Sequence, residues 1–179
     1  MNHATGSVLL GCALLASGSA FATQYLTAEE ARQVLFADAT AFKAQPLELS
    51  AAQMREVQQL AGLPARSVQW RVMSAWRGEM LLGYVVLDDV IGKYELISYA
   101  VALNPDATVR QIEILTYRES HGFEIRSPAW RKQFVGKSAQ SGLTIGEGIS
   151  NISGATLSSN HVTDGVRRIA AVVQVALKK

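Results

Sequence analysis

The chain has 179 residues, of which 49% are hydrophobic and 18% are charged, and this balance excludes an intrinsically disordered protein. Its length predicts a single domain, because domains commonly contain about 100 to 150 residues. The formal net charge is +2, and the basic residues are spread along the chain rather than gathered in a stripe, so the composition argues against a nucleic-acid partner.

The first 22 residues are typical of an export signal. An apolar run from Val8 to Leu15 is followed by Ala20-Phe21-Ala22, the small-x-small pattern that signal peptidase cleaves. We therefore expect a mature chain that begins at Thr23 in the periplasm or cell envelope. Two alternatives stay open: an uncleaved membrane anchor, although a span needs about 20 apolar residues, and a lipoprotein acylated on Cys12. Cys12 is the only cysteine, so cleavage would also remove disulfides, cysteine-ligated clusters and a cysteine nucleophile from consideration.

Two helices are predicted in residues 23–66, which we treat as an N-terminal helical segment. Thr27-Ala28-Glu29-Glu30 has the capping-box pattern and predicts a helix over about 28–38. Ser50 begins a second helical pattern, which Gly62 and Pro64 end. Both helices are expected to serve packing.

Residues 67–179 are predicted to form the main domain, and their pattern changes from helix to strand. The short connections between the predicted strands favour an antiparallel meander. The four strands, rich in β-branched and aromatic residues, are Val68–Trp76, Met80–Leu87, Tyr94–Leu103 and Val109–Tyr117. A final amphipathic helix is predicted over 159–177, with a stripe formed by Val162, Val166, Ile169, Ala170, Val173 and Leu177. The fold class is therefore α+β, an antiparallel sheet with flanking helices and a C-terminal amphipathic helix.

The segment 146–159, between the sheet and this last helix, is rich in glycine and in hydroxyl side chains. Small residues allow a ligand to approach the backbone, and the start of a helix offers unpaired N–H groups and the positive end of the helix dipole. These properties suit an anion such as phosphate. The residues alone leave a second interpretation open, in which the segment is a Ser/Thr-rich turn that caps the helix.

A resemblance to a known family favours the anion. Ser153-Gly154-Ala155-Thr156, followed by Leu157-Ser158-Ser159, resembles the flavinylation motif of the FMN-binding domain family, which includes flavin subunits of the sodium-pumping NADH:quinone reductase. The resemblance implies that flavin mononucleotide (FMN) is joined covalently to Thr156 through a phosphoester, by a flavin transferase that uses FAD and Mg²⁺. It also implies that Ser153, Gly154, Ala155, Leu157 and Ser158 surround the attachment point. The family usually has Asp six residues before the threonine, where this chain has Ser150.

A second match lies upstream, and the resemblance as a whole spans about residues 70–177. Arg118-Glu119-Ser120-His121-Gly122-Phe123 resembles the family's Glu-Thr-Pro-Gly-Leu segment, which implies that Glu119, Ser120, Gly122 and Phe123 line the flavin ring. Ser120 replaces Thr and His121 replaces Pro, so a rigid turn residue is exchanged for a titratable one. The residues Trp130, Phe134, Gly136 and Lys137 resemble a further family run.

Several of these residues have two interpretations. His121 either shuttles a proton to the flavin or is a surface turn residue, and Phe123 either stacks on the ring or fills the core. Trp70 and Trp76 are interpreted as packing residues. His121 and His161 are the only histidines outside the signal, so a zinc or copper site is not expected. A serine hydrolase is not expected either, because no Gly-x-Ser-x-Gly is present.

The resemblance implies an exported electron-transfer flavoprotein, a redox carrier or a component of an oxidoreductase system rather than a stand-alone enzyme. The sequence does not identify the electron donor or acceptor, and a membrane-bound complex is one candidate. The alternative is a secreted binding or sensory module that has the same fold and no flavin.

Overall fold

The computed structural model describes residues 23–177, in which a β-sheet has helices on both faces. The predictions for the export signal and for Cys12 lie outside the described residues. The strands are β1 (Thr23–Gln24), β2 (Ala41–Ala44), β3 (Leu47–Glu48), β4 (Gln69–Trp70), β5 (Val72–Arg77), β6 (Met80–Ile91), β7 (Leu96–Leu103) and β8 (Val109–Tyr117).

The described strands form a six-stranded sheet in the order β1-β8-β7-β6-β5-β2 and a separate pair, β3 and β4. Every neighbouring pair is antiparallel. The predicted meander is therefore confirmed for β5 to β8. The first and last places in the sheet are taken by β1 and β2, which come from the segment 23–66.

Four α-helices accompany the described strands. The predicted capping box at Thr27 is confirmed, and the helix predicted from Ser50 also begins with a capping box. Thr27 caps α1 together with Glu30, and Ser50 caps α2 together with Gln53. A short 3-10 helix, Phe123–Arg126, follows β8. The α-helices are α1 (Ala28–Leu35), α2 (Ala51–Ala61), α3 (Pro128–Lys132) and α4 (Thr156–Ala176).

Alternate residues of the strands face two separate cores, as the period of a strand requires. The smaller core, on the α1 face, is built around Leu35 and Phe36 and includes Val85, Ala100 and Leu115. The larger core covers the opposite face and includes α2 and α4. Its α4 members Val162, Val166, Ile169, Ala170 and Val173 are buried, which confirms the predicted stripe, whereas Leu177 is partly buried.

The predicted break at residues 88–93 was wrong in its position. Strand β6 continues through Asp88 to Ile91, which pairs with Leu96 in β7, so the turn lies at 92–95. Asp88 is accommodated because its carboxylate accepts a hydrogen bond of 2.8 Å from the Tyr99 hydroxyl, directly across the two strands. A polar residue with a cross-strand partner continues a strand.

Other boundaries also differ from the sequence prediction. The strand predicted over Val68–Trp76 is interrupted at Arg71, where the chain passes from the small sheet to the main one. Helix α1 ends at Leu35, earlier than predicted, and α4 begins at Thr156 rather than at Ser159. The start of α4 follows from Gly154, whose φ of +79° ends the preceding loop. The short elements β1, β2, β3 and α3 were not predicted.

Candidate cofactor site

A cavity of about 470 Å³ lies beside the start of α4, and three separate parts of the chain line it. Two of them are the segments that resemble the family: residues 119–121, which follow β8, and residues 154–158 at the start of α4. The third is Lys93 and Tyr94 in the β6–β7 turn, which the sequence did not single out. The fold thus brings the two matching segments to one cavity.

Thr156 is the first residue of α4 and is exposed at this cavity. Its Oγ1 accepts a hydrogen bond of 3.2 Å from Nδ2 of Asn151. The Asn151 side chain is itself fixed, because its Oδ1 accepts a hydrogen bond of 2.8 Å from the Ser159 hydroxyl. Asn151 therefore orients the threonine, a role that became apparent only from the structure.

The first turn of α4 has no side-chain cap. Its N-cap residue, Ala155, has no side chain that could accept from the helix amides, in contrast to Thr27 and Ser50 at the starts of α1 and α2. Unpaired N–H groups at such a helix start attract an anion, and the helix dipole adds to the attraction. Next to them, a Cβ atom on Gly154 would meet no atom within 4 Å, so the approach to these groups is open.

The other hydroxyl groups of the motif are placed differently. The Ser158 side chain is 2% exposed, and its Oγ lies 3.5 Å from the Tyr117 hydroxyl oxygen. Ser159 is fully buried; its hydroxyl donates to Asn151 and lies 3.1 Å from the backbone oxygen of Ala155. Ser153 is exposed but does not line the cavity, whereas Leu157 lines it with 48% of its surface exposed. Thr156 is thus the exposed hydroxyl of residues 154–158.

Glu119 lines the cavity and also holds the neighbouring turn. Its Oε1 accepts hydrogen bonds from the backbone N–H groups of Tyr94, at 2.6 Å, and Glu95, at 3.0 Å. Burial alone would raise the pKa of the Glu119 carboxyl, but these hydrogen bonds and the charge of Lys93 outweigh burial and lower it. The carboxylate is therefore charged at neutral pH and joins the 119–121 segment to the β6–β7 turn.

The 119–121 segment is also held by a hydrogen bond from Tyr117. The Tyr117 hydroxyl donates to the backbone oxygen of His121, and burial raises the pKa of this hydroxyl. Gly122 follows with φ of +86° and is buried against α4, where a Cβ atom would lie 2.1 Å from that of Ala155. Gly122 therefore packs the turn against the motif rather than lining the cavity.

The remaining predicted ring contacts are divided between the cavity and its surroundings. Ser120 and His121 line the cavity, and the Ser120 hydroxyl lies 2.9 Å from Nδ1 of His121. Phe123 is neither in the core nor on the cavity wall: it is 53% exposed and contacts the edge of Tyr117, with ring centroids 5.6 Å apart. His161 donates from Nδ1 to the backbone oxygen of Ile91 at 2.6 Å, which ties α4 to the end of β6, next to the β6–β7 turn.

The third run that resembles the family, which includes Trp130 and Phe134, contacts the segment before the Thr156 motif. Trp130 is buried against Phe134, with ring centroids 4.9 Å apart, and its Nε1 donates to the backbone oxygen of Ser150 at 2.8 Å. The Ser150 backbone N–H donates to Oε1 of Gln133 at 2.8 Å. Position 150, where the family usually has Asp, is thus fixed through its backbone.

Comparison with known proteins agrees with this geometry. Residues 92–171 match the family described as FMN-binding domain, so the resemblance that the sequence motifs indicated is confirmed for that region. The crystal structure of NqrC from Shewanella oneidensis has a similar fold, with a TM-score of 0.50 and 19% sequence identity over 75% of this chain and 80% of that chain. No curated protein matches the chain.

Two kinds of feature are absent from residues 23–177. No helix in this range has the length and apolar character that crossing a membrane requires. Nor do three or more His, Cys, Asp or Glu side chains come together there as a metal site would need.

Proposed function

We propose that this chain, whose residues 92–171 match the FMN-binding domain family, is an electron-transfer flavoprotein that carries FMN through a phosphoester to Thr156. One observation carries the proposal: the two segments that resemble the family motifs line the same cavity, and Thr156 is an exposed residue of its wall. A cavity of about 470 Å³ is within the range of small-molecule and cofactor sites.

The residues present fit the phosphate end of FMN. The uncapped first turn of α4 offers backbone N–H groups, and the open space at Gly154 lets a phosphate reach them. Lys93 supplies a cation to the same cavity. A phosphate joined to Thr156 would therefore lie in a favourable electrostatic environment.

The residues also fit the ring end. Tyr94 and Leu157 line the cavity and expose 73% and 48% of their surfaces, so apolar surface is available there to a planar ring. The polar residues Glu119, Ser120 and His121 share the wall and can bond the edge of a flavin ring.

Attachment requires one group transfer from FAD. The Thr156 oxygen forms a bond to the phosphorus of the FMN half, the bond between the two phosphates of FAD breaks, and AMP leaves with the electron pair. The hydroxyl proton passes to a base of the flavin transferase, whose Mg²⁺ neutralises the pyrophosphate. Asn151 contributes by holding the Thr156 side chain in one orientation.

Bound FMN would supply one- and two-electron redox chemistry, while the protein would bind and orient the cofactor and adjust its potential. We place the protein in the periplasm or cell envelope, after cleavage between Ala22 and Thr23. A covalent bond is useful there, because a dissociable cofactor would be lost. The partners are the transferase and an electron donor and acceptor, with a membrane-bound redox complex as the candidate.

The proposal is tested by co-producing the chain with a flavin transferase, FAD and Mg²⁺ and viewing a denaturing gel under ultraviolet light. The wild-type band should fluoresce, Thr156→Ala should not, and Thr156→Ser should retain some signal because it keeps the hydroxyl. Ser141→Ala is the matched control, since it removes an exposed hydroxyl outside the motif and should load normally. Fluorescence in Thr156→Ala would refute the attachment site. A colourless wild-type protein would instead favour the module without flavin.

A further inference from the structure

We propose that the tip of the β6–β7 hairpin is a second wall of the flavin site, in which Tyr94 contacts the isoalloxazine ring and Glu119 holds Tyr94 in place. This inference rests on the proposed function and adds Tyr94, which neither sequence motif contains, and a positioning role for Glu119.

Tyr94 is presented to the cavity rather than packed in the protein. It lines the cavity, and 73% of its surface is exposed. The ammonium of Lys93 lies 4.8 Å from the centroid of its ring and covers one face. With 73% of its surface exposed, the Tyr94 side chain is accessible to a planar aromatic ligand, and offset stacking is favourable between aromatic rings.

The turn that carries Tyr94 is fixed at its backbone. The Gly92 N–H donates to the Glu95 oxygen at 2.7 Å, which closes the turn. The Glu119 carboxylate then accepts from the N–H groups of Tyr94 and Glu95. Gly92 packs so closely on this carboxylate that a Cβ atom would lie 2.5 Å from its Oε1. A wall with its backbone held in this way can orient a ligand.

Glu119 is therefore a positioning residue. Its Oε1 is occupied by the two backbone donors, so its principal effect on a flavin is indirect, through the place of Tyr94. Phe123 provides the contrast: it is an exposed aromatic close to the same segment, but it lies off the cavity wall and against Tyr117.

The experiment uses the full chain, loaded covalently with flavin, and measures how efficiently iodide quenches the flavin fluorescence. Tyr94→Leu should raise the quenching constant about twofold, because one face of a planar ring becomes open to solvent. Tyr94→Phe should retain the wild-type constant because it keeps the ring. Phe123→Leu, the matched control, should also leave it unchanged.

The positioning role has its own pair of variants. Glu119→Ala removes the acceptor and should raise the quenching constant as Tyr94→Leu does, whereas Glu119→Gln keeps an acceptor oxygen and should stay near wild type. Circular dichroism confirms that each variant is folded. If wild-type protein carries flavin but Tyr94→Leu and Glu119→Ala both give the wild-type quenching constant, the hairpin inference is overturned and the proposed function stands. If wild-type protein takes no flavin, both are overturned.

Discussion

Gly122 is the point where the 119–121 segment and the start of α4 are in closest contact, and replacing it with alanine tests whether that contact supports the site. The new Cβ would lie 2.1 Å from the Ala155 Cβ and 2.7 Å from the Tyr117 hydroxyl. Neither neighbour can move away easily, because Ala155 is the N-cap of α4 and the Tyr117 hydroxyl is hydrogen-bonded to the backbone oxygen of His121. We expect the turn and the helix to separate.

Two costs add up in the Gly122→Ala variant. A residue with a side chain in the left-handed region, at φ of +86°, costs roughly 1–2 kcal/mol. Overpacking costs about 1–3 kcal/mol more. The free energy of unfolding should therefore fall by roughly 2–5 kcal/mol, a large part of the 5–15 kcal/mol that is typical of a domain.

Gly136→Ala is the matched control for the backbone cost. Gly136 has a similar φ of +78°, but a Cβ there would meet no atom within 4 Å. Urea unfolding of both variants should give a difference of about 1–3 kcal/mol, which is the overpacking contribution alone. Gly122→Ala should also load flavin more slowly than Gly136→Ala, because Ala155 precedes Thr156. Equal losses of stability and equal loading would refute the proposed role of the contact.

Four other predictions concern the site and the export signal. Asn151→Ala removes the hydrogen bond to the Thr156 hydroxyl, worth about 1 kcal/mol, and should slow flavin attachment about fivefold; an unchanged initial rate in the gel assay would exclude that role. In a spectroelectrochemical titration, Lys93→Gln should lower the midpoint potential and Glu119→Gln should raise it, since the first removes positive and the second negative charge near an anionic reduced flavin; shifts of the same sign would contradict this. The lowered pKa of Glu119 means that its charge stabilises the fold above its ordinary pKa of 4.5 and ceases to do so as the pH falls through the folded value. The stability advantage of wild type over Glu119→Gln should thus shrink below pH 4.5 in urea unfolding, and an advantage constant from pH 6 to pH 3 would be inconsistent with it. Intact mass of the exported protein should correspond to a chain that begins at Thr23, rather than at Met1 or with lipid on Cys12.

Local sequence signals predicted the elements that local interactions define. Thr27 marked the start of α1 because its cap is completed by Glu30, three positions later. The helix α2 was predicted from the helical pattern that begins at Ser50. The position of Asp88 inside β6 could not be predicted in this way, since the hydroxyl that satisfies it belongs to Tyr99 in the next strand. The edge strand β2 was missed because it has only four residues, which are mostly exposed and show no alternation of apolar and polar side chains.

The same distinction between local and distant interactions applies to the candidate site. The residues that resemble a motif, such as Thr156 and Glu119, could be named because the resemblance is local in sequence. Tyr94 and Asn151 could not, because the significance of each depends on a partner brought close by folding. For Tyr94 that partner is the Glu119 carboxylate, 25 positions further along the chain.

The division of the cavity walls among a hairpin, a strand end and a helix start has a consequence for the order of maturation. Before the sheet closes, Thr156 is one of many hydroxyl side chains in an open chain, and no cavity distinguishes it. A transferase that recognises the assembled pocket would therefore act after tertiary folding and pass over misfolded copies. The yellow colour of a preparation would then measure the fraction of molecules that had folded correctly.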